Sequence, residues 1–156
     1  MTEDKNIVLF GAGCFWHPQK VYHYTDGVLE TEVGYAGGSS HNPTYEQVCS
    51  GLTGHAEIVK VKFDDSIVKF DELLDVFWNI HDPTQINRQG VDIGTQYRSC
   101  IFTNFDPYLD KIKKSIEDMN NSETYSNPIS TIIYNTIKYY PAEDYHQKYL
   151  FRNALK

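Results

Sequence analysis

Ile7-Val8-Leu9-Phe10-Gly11-Ala12-Gly13-Cys14-Phe15-Trp16-His17-Pro18 sets how the rest of the chain is read: an apolar run halts at glycines, a thiol follows, and a proline comes four residues later. Residues 7–11 read as a strand. Pro18 suits the first turn of a helix, where its missing N–H would have had no partner anyway. A strand that turns through glycines into a helix is the building unit of two-layer α/β and α+β domains. The same rhythm continues along the chain. Strand character recurs at 28–35, 57–63, 97–103 and 131–135, and helical character at 70–80, 106–119 and 142–151. The clearest helix carries Phe70, Leu73, Leu74, Phe77 and Trp78 on one stripe behind an Asp71 start. A short helix begins near Asn42-Pro43-Thr44, either with Asn42 as cap and Pro43 in the first turn or with a Thr44/Gln47 capping box. Two long irregular stretches, 34–43 and 81–96, interrupt the pattern, and loops of that length usually carry function or lack order.

The chain has 156 residues, with 14 Lys and Arg against 21 Asp and Glu, for a formal net charge of −7. That length predicts a single domain across 1–156, with its core beginning near Asn6. Folding a chain of this size removes roughly 70% of its unfolded surface from water, so disulfides are not needed for a core. The acidic balance argues against nucleic acid or an anionic membrane as partner. The longest apolar stretch, 7–16, is about half a membrane span. The N-terminal Met1-Thr2-Glu3-Asp4-Lys5 lacks the basic region of a secretory signal, and three cysteines cannot pair evenly. A reducing, cytoplasmic setting is therefore expected, with each cysteine a thiol.

Three features carry chemistry. At the start of the expected helix, unpaired N–H groups and the dipole favour the thiolate of Cys14, lowering a pKa of about 8.5 toward neutrality and making it a nucleophile. The alternative is a small residue packed at a strand end. Cys14-x-x-His17 also resembles half a metal site, but no second half stands at ligand spacing, so no metal is expected. In Gly54-His55-Ala56-Glu57-Ile58-Val59-Lys60-Val61-Lys62-Phe63, alternation aims Glu57 to the same side as Val59, Val61 and Phe63. Burial there raises a carboxyl above about 4.3 and turns it into an acid; fraying into solvent is the other reading. The polar stretch 87–99 holds Asp92 and Tyr97, which either offer fixed hydrogen bonds to a ligand or belong to a loop folded on itself. Tyr35, Tyr45 and Tyr97 border the irregular stretches, while Tyr22, Tyr108, Tyr125 and Tyr149 read as ordinary packing.

Taken together, Gly13-Cys14-Phe15-Trp16, Glu32-Val33-Gly34-Tyr35-Ala36-Gly37-Gly38, Pro43-Thr44-Tyr45-Glu46-Gln47-Val48-Cys49-Ser50-Gly51, Gly54-His55-Ala56-Glu57, His81-Asp82-Pro83-Thr84-Gln85, Gly94-Thr95-Gln96-Tyr97-Arg98-Ser99 and Tyr140-Pro141-Ala142-Glu143-Asp144-Tyr145-His146-Gln147 resemble the peptide methionine sulfoxide reductase A family, in its order and spacing. The resemblance implies an α+β, two-layer ferredoxin-like sandwich with a mixed sheet, flanking helices and much coil, without metal or organic cofactor. It implies reduction of methionine S-sulfoxide, free or in proteins, through a sulfenic acid on Cys14. Glu57 would be the acid, Tyr45, Asp92 and Tyr97 would complete the site, and Phe15 and Trp16 would wall the substrate methyl. A thiol redox sensor without sulfoxide turnover is the rival reading. Three departures from the family pattern stand out. Gln19 replaces a usual Glu, which predicts less charge near Cys14. The sequence closes on Leu150-Phe151-Arg152-Asn153-Ala154-Leu155-Lys156, without the tail cysteines of many relatives. An external thiol of thioredoxin or glutaredoxin type is thus the expected reductant, with Cys49 as the candidate internal resolving thiol. Cys100 stands where a small apolar residue is usual and reads as packing.

Overall fold

Alternate residues of Ile7–Ala12 (β1) serve two apolar clusters in the computed structural model, which describes residues 4–154. Val8, Phe10 and Ala12 enter the larger cluster, and Leu9 enters a smaller one against which Ile7 packs. After β1 come α1 (Trp16–His23), β2 (Val28–Ala36), α2 (Tyr45–Cys49), β3 (Ala56–Phe63), α3 (Phe70–Asn79), β4 (Arg88–Gln89), β5 (Asp92–Ile93), β6 (Ser99–Phe102), α4 (Asp106–Asn121), β7 (Ile132–Tyr134), β8 (Tyr140–Pro141) and α5 (Tyr149–Ala154). One mixed sheet runs β7-β6-β1-β3-β2-β8, parallel between β6 and β7 and antiparallel elsewhere, and β4 pairs with β5 alone. Its central order β6-β1-β3-β2, with α1 and α3 as the crossovers, is the ferredoxin-like arrangement of an α+β sandwich.

The larger cluster joins Val33, Val59, Val61 and Phe63 of the sheet to Tyr22 of α1, Leu73 and Phe77 of α3 and Ile112 of α4. Helices thus cover one face. The Tyr22 hydroxyl, wholly buried, donates to the Leu73 carbonyl at 2.9 Å, so its polar end is satisfied inside the core. On the other face Leu9, Ala36, Ala56, Ile58, Cys100 and Phe102 make a thin cluster with Tyr134 and Tyr139 at its margin. Cys100 pairs in register with Gly11, and its sulfur lies so close that any side chain at Gly11 would strike it.

Several local expectations are corrected. The α3 helix starts at Phe70, not Asp71: Lys69 is extended, and the Glu72 carboxylate reaches back to accept its N–H at 3.3 Å. At α2 the choice falls on the capping box: Gln47 N–H donates to Thr44 Oγ1 at 3.2 Å and Thr44 N–H to Gln47 Oε1 at 2.9 Å, while Asn42 is left-handed at φ 44°. The strand expected over 97–103 covers only Ser99–Phe102, because Thr95–Tyr97 winds into a 3₁₀ turn. No continuous helix spans 142–151. Tyr140–Pro141 is extended against β2, Asp144–His146 is a 3₁₀ turn, and Lys148 at φ 54° breaks the path before α5.

Phe77 is completely buried between Phe10 and Trp78. Phe77→Ala is expected to cost about 3–5 kcal/mol of stability, read as a lower urea midpoint at unchanged slope.

Candidate active site

The turn between β1 and α1 presents Cys14. Gly13 adopts φ 88°, and a Cβ there would lie 2.8 Å from Gln89 Cβ, so only glycine lets β4 close over the thiol turn. Phe15 caps α1 without any side-chain bond, which leaves its N–H free for a distant partner. That partner is Glu57 of β3: its Oε1 accepts the Phe15 N–H at 3.2 Å. The carboxyl is 1% exposed, and its Oε2 is buried without a hydrogen-bond partner. Burial drives the Glu57 pKa up to about 8; the Phe15 N–H opposes this and nearby Asp92 adds to it. The core-facing acid reading of Glu57 fits this geometry, and the frayed one does not.

The thiol behaves differently from its sequence reading. Burial pushes Cys14 up to about 12, the Trp16 N–H pulls the other way, and the Glu57 and Asp92 carboxylates raise it further. The helix terminus is in place, but desolvation outweighs it. Cys14 is therefore a thiol in the resting protein, rather than a standing thiolate.

Around this pair stand Tyr45, Asp92, Tyr97 and Cys49. Tyr45 opens α2, half-buried; its hydroxyl donates to the sulfur of Cys49, and burial together with that bond raises the phenol. Tyr97 ends the 3₁₀ turn before β6, its phenol pushed up to about 12 by burial and by the Glu57 carboxylate. Asp92 lies on β5, opposite Gln89. The amides of this hairpin are used internally: Gln89 Oε1 accepts the Asp82 N–H and its Nε2 donates to the Asp82 carbonyl, each at 2.9 Å, and Gln85 Oε1 accepts the Gly90 N–H at 2.7 Å. The 87–99 stretch is thus a loop folded on itself that still presents Asp92 and Tyr97. Cys49 is exposed, and its nearness is among the influences that raise Cys14.

Three residues without a role in the sequence reading complete the enclosure. Glu143 takes the Tyr35 hydroxyl on Oε1 at 2.8 Å and the Tyr45 N–H on Oε2 at 2.9 Å. Burial would raise it, yet these donors hold it below the usual carboxylate range. His146, 1% exposed, accepts the Trp16 indole N–H on Nδ1 at 3.1 Å, which leaves the proton on Nε2, buried and unpaired. Its ring lies 4.4 Å from that of Tyr45 and 5.2 Å from that of Phe15. Tyr149, read as ordinary packing, stacks on Trp16 at 3.8 Å and 11°. All three fall in or just after the 140–147 block, whose density of carboxyls, phenols and imidazole was the available signal.

Gln19 does not face the thiol. Its Oε1 accepts the Lys148 N–H at 2.7 Å and its Nε2 reaches Thr31, so a buried amide ties α1 to the segment that carries His146 and Tyr149. Among the described residues no group of three or more His, Cys, Asp or Glu side chains is placed to hold a metal ion, and no helix is long and apolar enough to cross a membrane.

A model of the family described as peptide methionine sulfoxide reductase matches residues 6–156. Peptide methionine sulfoxide reductase MsrA of Methanothermobacter thermautotrophicus is 51% identical over 144 residues, covering 92% of this chain and 85% of that protein. Among solved structures, reduced Mxr1 from Saccharomyces cerevisiae superposes with a TM-score of 0.88 at 36% identity, over 96% of this chain and 86% of that one. Mxr1 in complex with Trx2 superposes at 0.64 with 25% identity, over 96% and 89%.

The balance of burial over helix terminus at Cys14 is open to measurement. Iodoacetamide alkylation of a Cys49→Ala protein should keep accelerating with pH beyond 10; a plateau near pH 8 is the result that contradicts a raised thiol.

Proposed function

The chain belongs to the peptide methionine sulfoxide reductase family, and we propose that it reduces methionine S-sulfoxide, free or in a polypeptide, by attack of Cys14 on the sulfoxide sulfur with Glu57 as the proton donor. Restriction to one epimer follows the division of labour between the two reductase classes. The observation that carries the residue assignment is the buried Glu57 carboxyl. One of its oxygens is held by Phe15 N–H and the other is unpaired. Raised to about 8, it keeps its proton at neutral pH, and the free Oε2 is where a sulfoxide oxygen would take it.

Sulfoxide sulfur is electrophilic, but oxide is a poor leaving group, so proton transfer to oxygen must accompany attack; a well-placed acid is worth about 10²–10⁴ in rate. Glu57 gives its proton to the sulfoxide oxygen and becomes a carboxylate. That carboxylate then accepts the Cys14 proton as the sulfur attacks, which explains how a thiol raised to about 12 can react. An S–S bond forms, the hydroxyl passes to the Cys14 sulfur, and methionine departs. The balance is sulfoxide plus thiol to thioether plus sulfenic acid. Tyr97 supplies a hydroxyl donor for the oxygen and Tyr45 a second once its hydroxyl turns from Cys49 to the substrate, Asp92 holds the polar side of the substrate, and Phe15 and Trp16 wall the methyl group. Glu143 and His146 are positioning residues, the first for Tyr45 and the second for Trp16.

An external thiol then condenses with the sulfenic acid, releasing water and forming a mixed disulfide with Cys14; a second thiol of the donor attacks that disulfide, restoring the Cys14 thiol and leaving the donor as its own disulfide. A thioredoxin-type donor is supported by the complex of yeast Mxr1 with Trx2. Cys49, exposed and bonded to the Tyr45 hydroxyl, is the secondary route for resolving Cys14. Three free thiols suit a reducing cytoplasm and a role in repairing oxidised proteins.

Cys14→Ser is expected to stop methionine formation from the S-sulfoxide, while Cys100→Ala retains it; peroxide-driven modification of Cys14 without any methionine release would instead mark a redox sensor. Glu57→Gln should slow the single-turnover sulfoxide step by about 100-fold or more. In the unaltered protein that step should weaken as pH rises through about 8, where Glu57 surrenders its proton, and the decline should vanish in Glu57→Gln. Equal single-turnover rates for the two proteins refute the acid assignment.

A further inference from the structure

A cleft of about 220 Å³ lies between the turn at residues 37–41 and the segment 136–140 that leads into β8. None of the side chains assigned to the sulfoxide site lines it. No carboxylate lines it either, although acids outnumber Lys and Arg 21 to 14 in the chain. Its charged and titratable side chains are a lysine, two histidines and a phenol, and hydroxyls make up most of the remaining polar lining.

His55 is committed to the scaffold: Nδ1 accepts the Gly38 N–H at 3.0 Å, Nε2 donates to the Ser40 carbonyl at 2.8 Å, and the residue is 2% exposed. It holds the 37–41 turn as a fixed wall. Across the cleft, Nδ1 of exposed His41 lies 2.7 Å from the Tyr140 hydroxyl, which links the turn to β8 through a polar pair. The Lys138 ammonium stands 5.8 Å from the centroid of the same Tyr140 ring, exposed at the mouth. Ser40 Oγ is buried and has no hydrogen-bond partner. Ser40 lines the cleft, and a hydroxyl with no partner inside the protein can donate to a ligand there by rotating about its side-chain bond.

We infer that this cleft binds a small oxyanion, the phosphate group of inorganic phosphate or of a phosphate monoester, through Lys138, Ser40 and the His41–Tyr140 pair. Lysine serves phosphate as a point charge, and hydroxyl and imidazole donors supply direction. The volume is below the roughly 300–1,000 Å³ of pockets for drug-sized ligands, and it accommodates a phosphate with a few further heavy atoms. A bound oxyanion bridges the 37–41 turn, which runs from β2 toward Tyr45, to the strand β8 that precedes Glu143.

The test is amide NMR of the full chain titrated with inorganic phosphate and, separately, with phenyl phosphate, at an ionic strength fixed with sodium chloride. Saturable shifts centred on residues 37–41 and 136–140 are expected. Tighter binding of phenyl phosphate marks the monoester as the ligand, and equal or weaker binding marks free phosphate. Lys138→Ala and Ser40→Ala should each weaken binding by about tenfold or more, while Lys138→Ala still reduces the sulfoxide at the unaltered rate. Shifts that grow linearly, that centre on Trp16 and Tyr45, or that persist unchanged in Lys138→Ala overturn the assignment.

Discussion

The hydrogen bond from the Phe15 amide to Glu57, formed where water is excluded, is the constraint on which the region around Cys14 depends. It fastens the start of α1 to β3, and so sets where the thiol stands relative to the sheet. It also decides the charge of the carboxyl. A carboxylate embraced by two or three N–H donors stays strongly acidic even when buried. Glu57 has one donor, and its second oxygen meets none. With a single amide set against full burial, desolvation prevails and the group rests neutral.

Neutrality then propagates. An ionised Glu57 beside an ionised Cys14 would place two like charges in a dry enclosure, and the Glu57 carboxylate adds to the rise of the thiol. Both groups holding their protons is the state that avoids this. Charge is instead kept at the margin, on Glu143, whose oxygens are engaged by Tyr35 and the Tyr45 amide. The two carboxyls differ both in depth and in donor count: Glu57 is fully buried with one donor, Glu143 only partly buried with two, and together these differences separate an acid from an anchor.

Much of this was legible in the sequence because it rests on periodicity and punctuation. The alternation in β3 placed Glu57 inward, the stripe of α3 named its buried residues, and the glycines before Cys14 marked the strand-to-helix turn. The family resemblance then supplied Tyr45, Asp92 and Tyr97, which local pattern alone could not rank, Asp92 standing outside every matching block. What stayed hidden depends on long-range partners. Nothing local reveals that Trp16 donates to His146, 130 positions away in sequence, or that Gln19 grips Lys148. The 142–151 stretch misled for a related reason: its composition suits a helix, but Gln147 bonds to the backbone of Val33 and Lys148 turns left-handed. The thiol was misjudged because a helix terminus is visible in sequence and depth of burial is not.

Cys100, pressed against Gly11 beneath the thin side of the sheet, has a practical corollary. Of the three sulfurs it alone is sealed, with β1 and β7 on either side of its strand. A bulky thiol dye can meet it only when those strands part. Labelling kinetics at that one position therefore count excursions of the central sheet, giving a built-in clock for opening of the fold that runs separately from events at Cys14.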